Sequence, residues 1–104
     1  MQRLNALTIK QLRALQAVCQ HGTISAAAEM LSLTPPAVHS QLKALEDNFG
    51  CALVLRGAGG FSPTAEGAAL LAAFETAQSA LVRAIRRRLT RPQSDNIFFL
   101  RHAL

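Results

Sequence analysis

Tryptophan and tyrosine are absent from the 104 residues, and five phenylalanines are the only large aromatics. Half of the chain is hydrophobic, enough for a core. Without large aromatics, that core must be built from alanine and leucine, which suits packed helices in a single domain. Cysteine is scarce: Cys19 and Cys51 stand alone, with no C-x-x-C pair. This points to two small buried thiols in a reducing cytoplasm rather than to a disulfide. Long apolar runs are missing too. The longest, residues 68–74, falls far short of a bilayer, and the N-terminus lacks the uninterrupted apolar stretch of a secretory signal. Acidic residues are few, six against eleven Lys and Arg, and the resulting net charge of +5 fits an anionic partner as well as plain solubility.

Catalytic and metal-binding patterns are equally missing. His21, His39 and His102 are not spaced with a carboxylate or thiol as metal ligands, and no G-x-S-x-G, H-E-x-x-H or phosphate-loop pattern occurs. Ser40 follows His39, but adjacent helical residues point about 100° apart and do not face each other. The sequence predicts no enzyme, no catalytic residue, no metal and no cofactor.

What is present is organised around residues 25–50. Val38, Leu42, Leu45 and Phe49 are spaced by four, three and four, which stacks them on one side of a helix over residues 35–49. The opposite side carries Pro36, His39, Ser40, Lys43 and Asp47 and no large apolar residue. Thr34 is a good N-cap, Pro35 falls at the first helical position, Leu33 can staple onto Val38, and Gly50 follows where a left-handed C-cap belongs.

Upstream, Thr8 and Gln11 form a T-x-x-Q capping box, with Leu7 stapled to Leu12, so a first helix starts at Ile9. Its apolar stripe is Ile9, Leu12, Leu15, Val18 and Cys19, and it ends at Gly22, with His21 complementing the negative helix end. Ser25 caps a short second helix over residues 26–31, whose alanines permit close approach by a neighbour. Helix, short turn, helix is helix-turn-helix spacing.

Downstream, residues 53–56 read as a strand, 57–60 as a turn, and Phe61 and Ser62 as a return strand, together a small wing. Ser62 or Thr64 caps a long last helix. Leu70, Phe74, Ala77, Leu81 and Ala84 recur at four-three spacing, flanked by Leu71, Ile85 and Leu89, a coiled-coil-like seam that implies a homodimer. Arg83, Arg86, Arg87, Arg88 and Arg91 crowd its end, either as a solvated terminus or as a phosphate-binding cluster.

These pieces resemble the N-terminal DNA-binding region of LysR-type transcriptional regulators. The resemblance rests on LTIKQLRALQAV, GTISAAAEML, TPPAVHSQLKALEDNFG, LVLR and TAEGAALL, in order and without gaps over some four-fifths of the chain. It implies a mainly α fold, a winged helix-turn-helix of three helices plus a small β-wing, followed by a long linker and dimerisation helix. The expected boundaries are 7–64 for the winged domain, with the helix-turn-helix at about 24–43, then 65–90 for the linker helix and 91–104 for a tail.

Carried over from the family pattern, the DNA-contacting positions are Pro35, Pro36, His39 and Ser40, with Thr34 as the cap. The residues themselves add Lys43, with Gln41 on its flank, and Arg56 on the wing. The chain departs from the family habit in the recognition helix and in the wing. Pro35 offers no side-chain amide, His39 replaces a small hydroxyl, and Gly59 and Gly60 stand where the family places wing arginines. In that family an effector domain follows the linker helix, whereas thirteen residues follow Arg91 here.

The expected partners are therefore double-stranded DNA and a second copy, paired through Leu70, Phe74, Ala77, Leu81 and Ile85. No membrane and no small-molecule effector are expected for this chain, which would act in the bacterial cytoplasm at the nucleoid. The alternative is a truncated interaction module that pairs with full-length regulators and antagonises them.

Overall fold

A computed structural model describes residues 5–89, excepting the side chain of Leu89. The expected tail at 91–104, Arg91 and His102 lie outside the described residues. Three helices come first: α1 (Ile9–His21), α2 (Ile24–Leu31) and α3 (Pro35–Phe49). Strands β1 (Val54–Gly57) and β2 (Gly60–Pro63) follow, then helix α4 (Ala65–Leu89). The chain divides into two compact units within α4, between Ala73 and Phe74.

The first unit is a winged helix-turn-helix, as the resemblance implied. Its core is Leu12, Ala14, Leu15, Ala17 and Val18 of α1, Ala27 and Ala28 of α2, and Val38, Leu42 and Leu45 of α3, joined by Leu53. Leucine and alanine do supply the interior. Where alanine stands, helix axes approach closely with few voids, so small residues are buried as completely as large ones.

The capping box of α1 forms as expected: Gln11 N–H donates to Thr8 Oγ1 at 3.1 Å, and Thr8 N–H donates to Gln11 Oε1 at 3.2 Å. The expected stripe on α1 needs correction, because Ile9 is 59% exposed. Ala14 and Ala17 rotate the buried arc away from Ile9, which then lies on the opposite side of the helix. The start of α2 is corrected as well. Thr23, not Ser25, is its cap: Ala26 N–H donates to Thr23 Oγ1 at 3.1 Å and helical geometry begins at Ile24. Left-handed Gly22 (φ 80°) turns the chain sharply enough for the cap to follow at once.

The two thiols are half-buried rather than enclosed, and neither is in a disulfide. Burial pushes the Cys19 thiol above its ordinary value, which keeps it neutral and weakly nucleophilic at neutral pH.

Between the candidate caps of the last helix, Thr64 holds the position. Gly67 N–H donates to its Oγ1 at 3.0 Å, while that hydroxyl donates to Ala52 O at 2.9 Å. Ser62 is instead paired with Leu55 in the wing.

Candidate nucleic-acid interface

Helix α3 is placed by its two ends. Thr34 Oγ1 accepts from Ala37 N–H at 3.3 Å, and Pro35 and Pro36 occupy the first turn, where backbone donors have no intrahelical partner. Gly50 closes the helix in the left-handed conformation, its N–H donating to Glu46 O at 2.7 Å. Between these ends Val38, Leu42 and Leu45 are buried and Phe49 is half-buried. Thr34, Pro35, Pro36, His39, Ser40 and Lys43 are all exposed, whereas Gln41, expected on the flank of Lys43, is half-buried and stands about 150° around the helix from the middle of that face. The site residues expected on α3 therefore share one solvent-facing surface.

Electrostatics on that face are weakly committed. Lys43 Nζ lies 3.8 Å from Asp47 Oδ1, with the two side chains 67% and 69% exposed. A solvated pair of this kind contributes little and is screened by salt, so an incoming anion can take the ammonium from Asp47.

The wing carries the remaining expected contact. Strands β1 and β2 pair antiparallel, with Arg56 opposite Phe61 and Gly57 opposite Gly60. The Arg56 guanidinium carbon sits 5.6 Å from the centroid of the Phe61 ring, a cation–π contact that leaves the arginine exposed. The wing is fastened to the turn between α1 and α2, because Phe61 N–H donates to Gly22 O at 2.8 Å. Gly60 is needed at this contact: its φ is +104°, and a Cβ there would stand 2.5 Å from the Gly22 carbonyl oxygen.

A shallow cleft runs between the wing and the start of α2, lined by Thr23, Ser25, Arg56 and Gly60 among others. The sequence reading assigned Ser25 to capping and so missed it as a surface group. Only the spacing from Gly22, which lets Thr23 cap instead, could have revealed it.

Along α4 the expected pairing residues divide. Leu70 is half-buried and Phe74 is buried, whereas Ala77, Leu81 and Ile85 are exposed. Leu81 and Ile85 are 53% and 57% exposed, and Val82 beside them is also open. By length and composition alone, the stretch Ala65–Arg88 is long and apolar enough to cross a membrane, at a mean hydropathy of 1.2. The run-length criterion missed this because alanines interspersed with polar residues raise the average without making a continuous run. Among the described residues, no group of three or more His, Cys, Asp or Glu could hold a metal ion.

With this geometry in place, known proteins are informative. A profile for bacterial regulatory helix-turn-helix proteins of the lysR family matches residues 9–68. The HTH-type transcriptional regulator CbbR of Cereibacter sphaeroides is 48% identical over 77 residues, which are 72% of this chain and 25% of that protein. Among solved structures, the complex of the CbnR DBD with DNA superposes with a TM-score of 0.70 at 30% identity, covering 79% of this chain and 94% of that one. ArgP from Mycobacterium tuberculosis gives a TM-score of 0.64 at 37% identity, covering 81% of this chain and 31% of that one. The chain spans about a quarter of the length of the curated relatives it matches.

Proposed function

Because the chain belongs to the lysR family of bacterial regulatory helix-turn-helix proteins, we propose that it reads duplex DNA as part of a transcription regulator, working as a homodimer with α3 in the major groove. The segregation of α3 supports this most: three apolar residues buried on one side leave His39, Ser40 and Lys43 together on the other. Ser40 and His39 address base edges, and Lys43 addresses a guanine or a phosphate. Thr34, Pro35 and Pro36 bring the start of the helix to the backbone, although the prolines supply no N–H there.

Arg56 is the single basic residue in 54–63, and it meets the flanking backbone from the wing. The cleft at Thr23 and Ser25 continues that phosphate track. Leu70, Phe74, Ala77, Leu81 and Ile85 pair α4 with its counterpart in a second copy and set the half-site spacing. The regulator acts in the bacterial cytoplasm, on the nucleoid. DNA binding has a precedent in the CbnR DBD–DNA complex.

A second reading has its own support. Gly59 and Gly60 leave the wing with one cation, while Leu81, Val82 and Ile85 stay open on α4. On that reading, the chain pairs with full-length relatives and antagonises them.

An equilibrium fluorescence titration separates the two. A palindromic duplex selected from a random pool is expected to bind more tightly than random duplex, with strong salt dependence. Lys43→Ala is expected to weaken binding by about tenfold and to lower the salt slope by about one. Equal affinity for both duplexes at every salt concentration, with heterodimers on mixing with a full-length relative, would favour the antagonist instead.

A further inference from the structure

On the first unit, a second surface remains beside α3 that the DNA reading does not use. Lys10 and Arg13 of α1, Met30 in the last turn of α2, Leu33 in the turn that follows, and Ala37 and Gln41 of α3 line one shallow groove. Met30 is 60% exposed and Leu33 is 44% exposed. Both are large apolar side chains that the fold leaves in water. Ile9, also exposed, stands one helical turn before Arg13 on α1.

Two features define what fits. The lining holds two cations and no carboxylate, so a complementary occupant is anionic where it meets Lys10 and Arg13. Its centre is apolar, with a flexible methionine that adapts to different side chains. A DNA backbone would meet the cations but set phosphates against Met30 and Leu33, gaining nothing from them. A helix with an apolar stripe and acidic edges gains from both, and a groove between helices is a common seat for such a helix.

The direction of the groove matters as well. Ala37 and Gln41 lie about 110° and 150° around α3 from the middle of the face bearing His39, Ser40 and Lys43. An occupant there leaves that face open.

We propose that this groove docks a short amphipathic helix of another protein, apolar along one side and carboxylate-bearing at its edges. The surface is small, so the contact is transient.

The test uses the full chain labelled with 15N and a synthetic helical peptide with a leucine face flanked by glutamates. Saturable amide shifts are expected at Lys10, Arg13, Met30, Leu33, Ala37 and Gln41. The same peptide with lysines in place of the glutamates is expected not to bind. Lys10→Glu combined with Arg13→Glu, and separately Met30→Gln combined with Leu33→Gln, are each expected to weaken binding at least about tenfold. Arg83→Glu, on α4, is expected to change it little.

Absence of saturable shifts, or shifts centred elsewhere, would overturn the proposal. So would equal binding of the lysine peptide, or a loss with Arg83→Glu as large as with the groove pair. The comparison of the two peptides on the unaltered chain decides the matter even if a variant fails to fold.

Discussion

Replacing Gly67 with alanine is expected to destabilise the fold by about 3 kcal/mol, although the same change in an open helical position gains about 1 kcal/mol. Gly67 lies in the first turn of α4, where alanine is otherwise the better helix former. A Cβ there would overlap the Leu53 carbonyl oxygen and stand 3.0 Å from its carbonyl carbon. Both atoms belong to backbone that has nowhere to go. Leu53 is buried, its N–H donates to Glu46 Oε2 at 2.7 Å, and its carbonyl accepts from Thr64 N–H at 3.0 Å.

The Thr64 hydroxyl ties the same segment to Ala52 and to Gly67 itself, so moving Leu53 would disturb the cap of α4 as well. In thermal unfolding the loss should read as a fall of about 12–24 °C. An unchanged or raised midpoint would show that α4 does not enter so tightly against the segment after α3.

Leu81→Glu combined with Ile85→Glu is expected to convert a dimer into a monomer. The two positions are one helical turn apart, and each is more than half exposed in the single chain. In a paired arrangement they would be covered, and carboxylates brought there would be desolvated and set against one another. Sedimentation equilibrium at micromolar concentration should show the unaltered chain as a dimer, and the double variant with a dissociation constant at least about 100-fold higher. A monomer for the unaltered chain would rule out the homodimer. Because this helix also has the length and hydropathy of a membrane span, flotation with liposomes run alongside should leave it in the soluble fraction. Co-flotation would assign the open apolar side chains to lipid rather than to a second copy.

Most of the helical architecture was legible because its signals are local. Thr8 and Gln11, Thr34 with its prolines, and Gly50 each mark a boundary through groups three or four residues away, and the structure honours all of them. The apolar spacing of Val38, Leu42 and Leu45 was equally plain, and with it the exposed face bearing His39, Ser40 and Lys43.

What sequence spacing did not reveal depends on contacts between distant residues. Gly60 is needed because its Cα approaches Gly22, and Gly67 because its Cα approaches Leu53. Neither neighbour lies within a turn of helix or strand. The misplacement of Ile9 has a different origin: a stripe drawn through large apolar residues overlooked Ala14 and Ala17, which are buried and shift the packed side. Ser25 lost its capping role to Thr23 because both have suitable side chains, and only the left-handed turn at Gly22 decides between them.

On the proposed function, the outward face of α3 distinguishes one DNA sequence from another. The most direct test is the affinity ratio between a selected palindromic duplex and random duplex, measured for the unaltered chain and for His39→Ala combined with Lys43→Ala. The double variant is expected to lose at least about tenfold of that ratio, with its melting temperature nearly unchanged because both side chains are exposed. A ratio that survives intact in a folded double variant would mean that recognition lies elsewhere on the molecule.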